Sequence, residues 1–417
     1  IATFHSFCLD VLRKNFHLIG IDPSLKIGDM EELDGIYRKS IEEALEIEYS
    51  NENDDFITLV EGFSSNRYDD ELYELINNTY LFIQSFEQPY KWLDEGVEKL
   101  NVDGLDLMDS PWIKVLIDHS RLSLVGASRL VELGIGICQA EDGPNYYEGT
   151  LRKDLDLINQ LINESFGEPG IFINCLNNHS FVRISKDKGV EKREVNPEKE
   201  DLIKNKNRTK YKDIVKDLSN LFSINSLDSY GKDLKHMYPS MKSLYRIVKN
   251  VDDIFSREKK ELSLLDFNDL ESYALEVLTD PSSLDDKKEP RPSEIAMEYR
   301  DKIKYIFIDE YQDINGKQEA IINKIKREKN LFMVGDVKQS IYRFRLADPG
   351  IFNEKYNSFS FDREELDDDN IHRVIELNKN FRSREEILKS TNYIFSRIMS
   401  SEFGEIDYNE KVFLNTG

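Results

Sequence analysis

Cysteine is nearly missing from this chain: Cys8, Cys138 and Cys175 are the three in 417 residues, and they lie far apart. An odd number at such spacing excludes a disulfide framework and a paired-cysteine zinc site, and it fits a reducing, cytoplasmic setting. Tryptophan occurs twice and proline eleven times, so no proline-rich tract organises the chain. No apolar run approaches the length of a membrane-crossing helix and no signal peptide is visible, so a role without a membrane is expected. A Gly-x-x-x-x-Gly-Lys-[Ser/Thr] phosphate loop is also absent. The nearest run, at 143–150, has the wrong spacing and lacks the lysine.

What is present suffices for packed cores. Hydrophobic residues make up 39%, with 20 Tyr and 23 Phe, and the length suggests two or three domains. The net charge of −24 opposes nucleic-acid binding if spread evenly, because phosphate neutralisation supplies much of that affinity. It is not spread evenly. Acids crowd into residues 31–70 and 362–369, whereas residues 183–216 hold 12 Lys or Arg against 7 Asp or Glu, a local +5. A solvated loop and helix is the preferred reading of that stretch, with a phosphate-contacting face as the alternative.

The most informative segment is Tyr-Ile-Phe-Ile-Asp-Glu-Tyr-Gln-Asp at 305–313. Four apolar residues running into two acids suit a strand buried in a parallel sheet, and open α/β sheets bind ligands at the carboxyl ends of their strands. There Asp309 can hold Mg²⁺ on nucleotide phosphates, while Glu310 shares the metal site or orients and deprotonates the attacking water. Residues 316–328 read as a helix with Ile321, Ile322 and Ile325 on one face, and Asn315 with Gln318 is placed like a capping box. A second strand is expected at 331–334. This order is the right-handed crossover of a parallel sheet.

Gly335-Asp336 ends that strand, so Gln339 can reach the same phosphate site as a neutral sensor. Next comes Ser-Ile-Tyr-Arg-Phe-Arg at 340–345. Tyr342 and Phe344 are candidates to stack on bases while Arg343 or Arg345 meets phosphates; a place in the core is the plainer reading of each aromatic alone. A third strand is expected at 373–378, followed by Lys-Asn-Phe-Arg-Ser at 379–383. Arg382 there is the candidate for neutralising charge on a transferring phosphoryl group, with Phe381 beside it as a stacking surface for the nucleotide base. A surface ion pair of Arg382 with Glu385 or Glu386 is the alternative.

These boxes, with Thr-Phe-His-Ser-Phe at 3–7 and Leu-Asp-Phe-Asn-Asp-Leu at 265–270, resemble superfamily 1 helicases of the UvrD/RecB type, most nearly the larger helicase-bearing chains of bacterial ATP-dependent helicase/nucleases (AddA type). The resemblance implies an α/β fold: a RecA-like P-loop NTPase motor domain whose parallel sheet is incomplete here, carrying a large, mainly α-helical insertion. It implies ATP and Mg²⁺ as cofactors, Asp309 and Glu310 at the metal and water, and Gln339, Phe381 and Arg382 around ATP. Thr3, His5, Tyr342, Phe344 and Arg345 are implied to face single-stranded DNA. Locally, Thr3 and His5 also read as a strand end and helix cap. Single-stranded and duplex-end DNA, with a second, AddB-like helicase/nuclease chain in a heterodimer, are the implied partners.

The chain is therefore expected to be an internal piece of a motor: residues 1–21 in the first motor domain, 22–260 an insertion, 261–369 the return, and 370–417 the start of a second motor domain. Without the phosphate loop this piece is expected not to hydrolyse ATP alone. Apolar spacing of three and four predicts helices at 71–86, 110–133, 149–166, 240–261 and 266–278, the last with Phe267, Leu270, Ala274 and Val277 inward. A non-catalytic helicase-like scaffold that binds DNA or a partner is the second reading, disfavoured by the joint presence of Asp309, Glu310, Gln339 and Arg382.

Overall fold

The computed structural model describes the chain except residues 23, 52, 64–68, 188–193, 285–289, 361–371, 401–405 and 411. The acidic run at 362–369 and the proposed domain start at 370 thus lie outside the described residues. The chain forms two compact units, Ile1–Glu95 with Ser240–Gly417, and Gly96–Pro239. The described residues are predominantly helical, with three small parallel sheets, each of two strands.

Gly96–Pro239 is a helical unit built on the long helix Pro111–Gln139, which packs against Glu148–Glu164, Pro169–Asn177 and Arg208–Leu221. Its core gathers Ile117, Leu124, Val131, Leu151, Ile158, Phe172, Tyr211 and Phe222. Pro111–Gln139 corrects one expectation, because by length and composition it is apolar enough to cross a membrane. Its apolar residues Ile113, Ile117, Leu124, Val131 and Ile135 are buried among the neighbouring helices, which is why the central helix of a bundle carries so few charges. Among the described residues a buried ion pair sits inside this unit. Arg208 grips both oxygens of Asp154 at 2.8 and 3.2 Å and donates to the Val182 carbonyl, while the Tyr211 hydroxyl donates to the same carboxylate at 2.6 Å.

In the other unit, the helices Phe4–Asn15, Phe267–Leu278, Glu294–Lys302 and Gly316–Ile325 enclose a core that includes Cys8, Val11, Leu270, Ala274, Leu278 and Ile321. Burial holds the Cys8 thiol up at about 12, so it acts as a small apolar residue. Each of these helices has a local cause. Thr3 and Ser293 cap their helices through side-chain oxygens, and Asp266 forms a full capping box with Asp269. Arg300 donates to the carbonyls of Lys324 and Asn323, satisfying the end of Gly316–Ile325.

Strands β1 (Lys26–Ile27) and β2 (Leu264–Leu265) pair in parallel, as do β3 (Ile306–Ile308) with β4 (Leu331–Met333) and β5 (Lys379–Asn380) with β6 (Asn415–Thr416). The parallel crossover β3, helix, β4 is as expected, in the register Ile306 to Leu331 and Ile308 to Met333.

Four local expectations are corrected. β3 is not buried on both faces: Ile306 and Ile308 point into the cores, but Phe307 is 73% exposed beside Phe332. Successive side chains leave opposite faces of a strand, and only one face of this two-stranded ribbon is covered. Asn315 caps Gly316–Ile325 as expected, yet the Gln318 side chain closes no capping box, because Glu271 takes its amide at 2.8 Å. Residues 374–378 are not a strand. Arg373 makes a single bridge to Ser360 and the ladder begins only at Lys379, since the intervening residues find no continuous partner among the described residues and Leu377 is 88% exposed. Phe267 lies half in solvent at the first turn of its helix, its ring tilted at 44° against His5 with centroids 4.8 Å apart, instead of pointing inward.

Candidate functional site

β3 and β4 end side by side, and the chain turns sharply after each. Asp309 follows β3, and Glu310 adopts the left-handed conformation with φ 52 and ψ 44, which costs a non-glycine residue on the order of 1 kcal/mol or more. The turn is held open by bonds to the neighbouring strand: Val334 N donates to the Ile308 carbonyl at 2.9 Å, and Tyr311 N to the Val334 carbonyl at 2.8 Å. Asp309 and Glu310 consequently stand exposed at the strand end. The Glu310 amide donates to the Asp309 carboxylate at 3.0 Å.

Below them the turn residue Tyr311 is fully buried and donates to Glu319, which also receives Lys355 at 2.7 Å. Burial first, then the Glu319 charge and its hydrogen bond, push the Tyr311 phenol far above its ordinary range. It stays neutral and anchors the turn. Asp313 is also raised, by burial and then by the Glu310 charge, against a lowering hydrogen bond from Gln312.

Beyond β4, Asp336 accepts from the Lys338 amide at 3.1 Å and the Lys338 ammonium at 2.8 Å, and Gln339 Nε2 donates to it at 2.9 Å. Burial opposes the Asp336 charge, but the bonds from Lys338 and Gln339 outweigh it and hold the carboxyl below its usual range. Gln339 is therefore exposed near the acids with its amide hydrogen engaged; to meet a phosphate it must leave Asp336.

The two strand ends are joined through Gln312, 1% exposed. Its Nε2 donates to Glu310 Oε2 at 2.8 Å and to Asp313 Oδ2 at 3.3 Å, while its Oε1 accepts from the Asp336 amide at 3.0 Å. Gly335 makes room for this bridge, since a Cβ there would lie 2.7 Å from Gln312 Oε1. Sequence reasoning misses both Gln312 and Asp336. The only signal for the first is an uncharged amide between two acids of the same box.

The other predicted residues fall at several places. Tyr342 and Phe344 lie with ring centroids 5.9 Å apart, and Phe344 is 75% exposed; the Arg345 side chain lies outside the described residues. Phe381 is 82% exposed and Arg382 is exposed after β5, where the Arg382 and Ser383 amides donate to Asn380 Oδ1 at 2.9 and 2.8 Å. Glu385 pairs with Lys389, so the first of the two acids offered to Arg382, Glu385 and Glu386, is engaged elsewhere. Burial first, then the Asp336 charge, raises the Tyr408 phenol. Thr3 accepts from the Ser6 amide at 3.3 Å, a capping bond.

His5 Nε2 lies 3.2 Å from Glu271, which also receives Gln318. Next to it Lys317 is buried, bonded to Ser272 at 2.9 Å and Gln84 at 3.3 Å, with its pKa lowered mainly by burial.

Among the described residues no group of three or more His, Cys, Asp or Glu forms a metal cage. Two carboxylates at a strand end fit Mg²⁺ arriving with phosphates, because that ion keeps several waters and takes only one or two protein carboxylates.

Comparison with known proteins adds to this geometry. Residues 141–360 match the family model of the UvrD/REP helicase N-terminal domain. Proteins named as the A subunit of an ATP-dependent helicase/nuclease are similar over the whole chain: 42% identical over 420 residues in Alkaliphilus oremlandii, 39% over 417 in Syntrophomonas wolfei, and 36% over 427 in Clostridioides difficile. The chain spans about a third of the length of these curated relatives, 32 to 33%.

Proposed function

From the premise that the chain belongs to the UvrD/REP helicase family, we propose that it forms one wall of the ATP site, and part of the DNA path, of an ATP-dependent helicase/nuclease. The observation that carries this reading is the hydrogen-bonded link between the two strand ends, Glu310 to Gln312 to Asp336 to Gln339. It joins a candidate water-activating acid to a candidate phosphate sensor, one residue before the aromatic and basic run at 340–345. A motor needs that adjacency to couple hydrolysis to strand movement.

In this reading the fold is a RecA-like motor domain, with residues 1–21 and 261–369 in the first motor domain, 22–260 an insertion, and 370–417 opening a second. Asp309 holds Mg²⁺, with Glu310 beside it taking the proton of the attacking water. Gln339 releases Asp336 to meet the terminal phosphate, Arg382 balances the developing charge, and Phe381 stacks on the base. Tyr342, Phe344 and Arg345 hold single-stranded DNA, with Thr3 and His5 further along its path. The whole protein translocates on single strands and unwinds duplex ends in double-strand break repair, in the cytoplasm, with an AddB-like second chain.

The phosphate loop is absent from these 417 residues, and its amides and lysine supply most of the grip on a triphosphate. The isolated chain is therefore expected not to hydrolyse ATP. The test is ATP turnover by the full-length protein with and without single-stranded DNA, beside the 417-residue chain. DNA-stimulated turnover in the first and none in the second is expected; rapid turnover by the 417-residue chain would overturn the assignment of one wall only.

A further inference from the structure

We infer that Gln312 is a positioning residue that couples the water-activating acid to the Gly335–Gln339 segment, through one side-chain amide bonded to both. This rests on the reading of Glu310 given above. Its Nε2 faces Glu310 and its Oε1 faces the Asp336 amide, and burial leaves the amide no water to exchange either bond for. Each end of the amide suits its own partner alone: a donor toward the carboxylate, an acceptor toward the amide. A flipped side chain would set a carbonyl oxygen against the Glu310 carboxylate and an NH₂ against an N–H.

Both linked segments begin as strand ends in register, so they share a rigid base. Beyond that base both chains leave the ladder. Glu310 is held in a strained left-handed turn, and Asp336 leads into a short helical turn, Val337–Gln339, with Gln339 hung on its carboxylate. The amide is thus the direct tie between two loops that carry the chemistry. When Gln339 leaves Asp336 for a phosphate, the change reaches Glu310 through the Asp336 backbone and Gln312. The acid is then set for water only when the sensor is engaged.

A merely packed glutamine predicts lost stability on substitution. A positioning glutamine predicts lost turnover at retained nucleotide affinity, because a misplacement of about 1 Å can cost on the order of 100-fold in rate.

Two variants of the full-length protein separate these. Gln312→Glu keeps an acceptor for the Asp336 amide but replaces the donor facing Glu310, and Asp313 at 3.3 Å, with a carboxylate oxygen. Gly335→Ala keeps the Gln312 side chain chemically intact but sets a Cβ 2.7 Å from its Oε1, and 3.1 Å from Phe352 Cε2, so the amide must shift. DNA-stimulated ATP turnover, KM for ATP, binding of a non-hydrolysable ATP analogue and the thermal midpoint are measured for both, beside Glu310→Gln. In each variant kcat is expected to fall about 10- to 100-fold, with KM and analogue affinity within about twofold of the parent.

Parental kcat in folded Gln312→Glu overturns the inference, provided Glu310→Gln is inactive; if Gln312→Glu does not fold, parental kcat in Gly335→Ala does so instead. Parental turnover in Glu310→Gln overturns the reading of the site itself.

Discussion

Lys259→Met is the substitution whose consequence follows most directly from the geometry. The Lys259 ammonium is buried and bonds Asp266 Oδ2 and Asp269 Oδ2, both at 2.7 Å, while lying over the Phe255 ring at 4.1 Å. Burial works against its charge, yet the two aspartates more than offset that and hold its pKa above the ordinary value. The same aspartates form the capping box of Phe267–Leu278, the helix that presents Glu271 to His5 and Ser272 to Lys317. Removing the cation leaves two carboxylates together in a site also faced by Asp252, Tyr80 and Tyr273. Breaking a buried pair this way costs about 3 to 5 kcal/mol.

The pH dependence has a definite sign. Asp269 is pushed up to about 6, by burial and then by Asp266, whereas an unfolded aspartate titrates near about 4. A carboxyl raised on folding adds stability below its unfolded pKa and loses it as pH rises through the folded one. In the variant that pKa climbs further, so a proton substitutes for the missing ammonium at low pH. Urea midpoints of the parent and Lys259→Met at pH 5, 6.5 and 8 are the assay. The deficit is expected to be about 3 to 5 kcal/mol at pH 8 and to shrink by half or more at pH 5. A deficit below about 1 kcal/mol, or one that does not change with pH, would refute the reasoning.

Other outcomes are expected elsewhere. Arg208→Ala strips a bidentate partner from Asp154 and a bond from the Val182 carbonyl, so denaturant unfolding should show a loss of about 3 to 5 kcal/mol. Leu124→Ala opens the core of the same unit at a fully buried position and should cost about 2 to 5 kcal/mol by the same measurement. Tyr342→Ala and Phe344→Ala, in the full-length protein, should each weaken single-strand binding by about 1 to 3 kcal/mol in a fluorescence titration; unchanged affinity in both would return the aromatics to packing roles.

Much of this site is legible in residue order because its cues are local. Asn315 caps a helix from one residue outside it, the apolar runs around Phe307 and Phe332 form strands, and the spacer is long enough for a parallel crossover. Which face of a strand is covered depends on neighbours, and so Phe307 reads as buried from its own run although it is not. Pro239 illustrates another limit. Proline lacks an amide hydrogen and signals a helix end, yet Ile224–Glu261 continues through it, so only the part after residue 240 is legible. Gln312 is hidden for a third reason: a buried amide with three partners looks, in sequence, like any surface glutamine. Its partners come from two strand ends that meet only when the sheet forms.

The account depends most on Glu310 as the group that activates water. ATP turnover by full-length Glu310→Gln, measured with saturating single-stranded DNA beside direct nucleotide binding, tests it. Turnover reduced by about a thousandfold or more with binding retained is predicted, since the neutral amide keeps the shape of the side chain and loses the base. Turnover equal to that of the parent protein would contradict it.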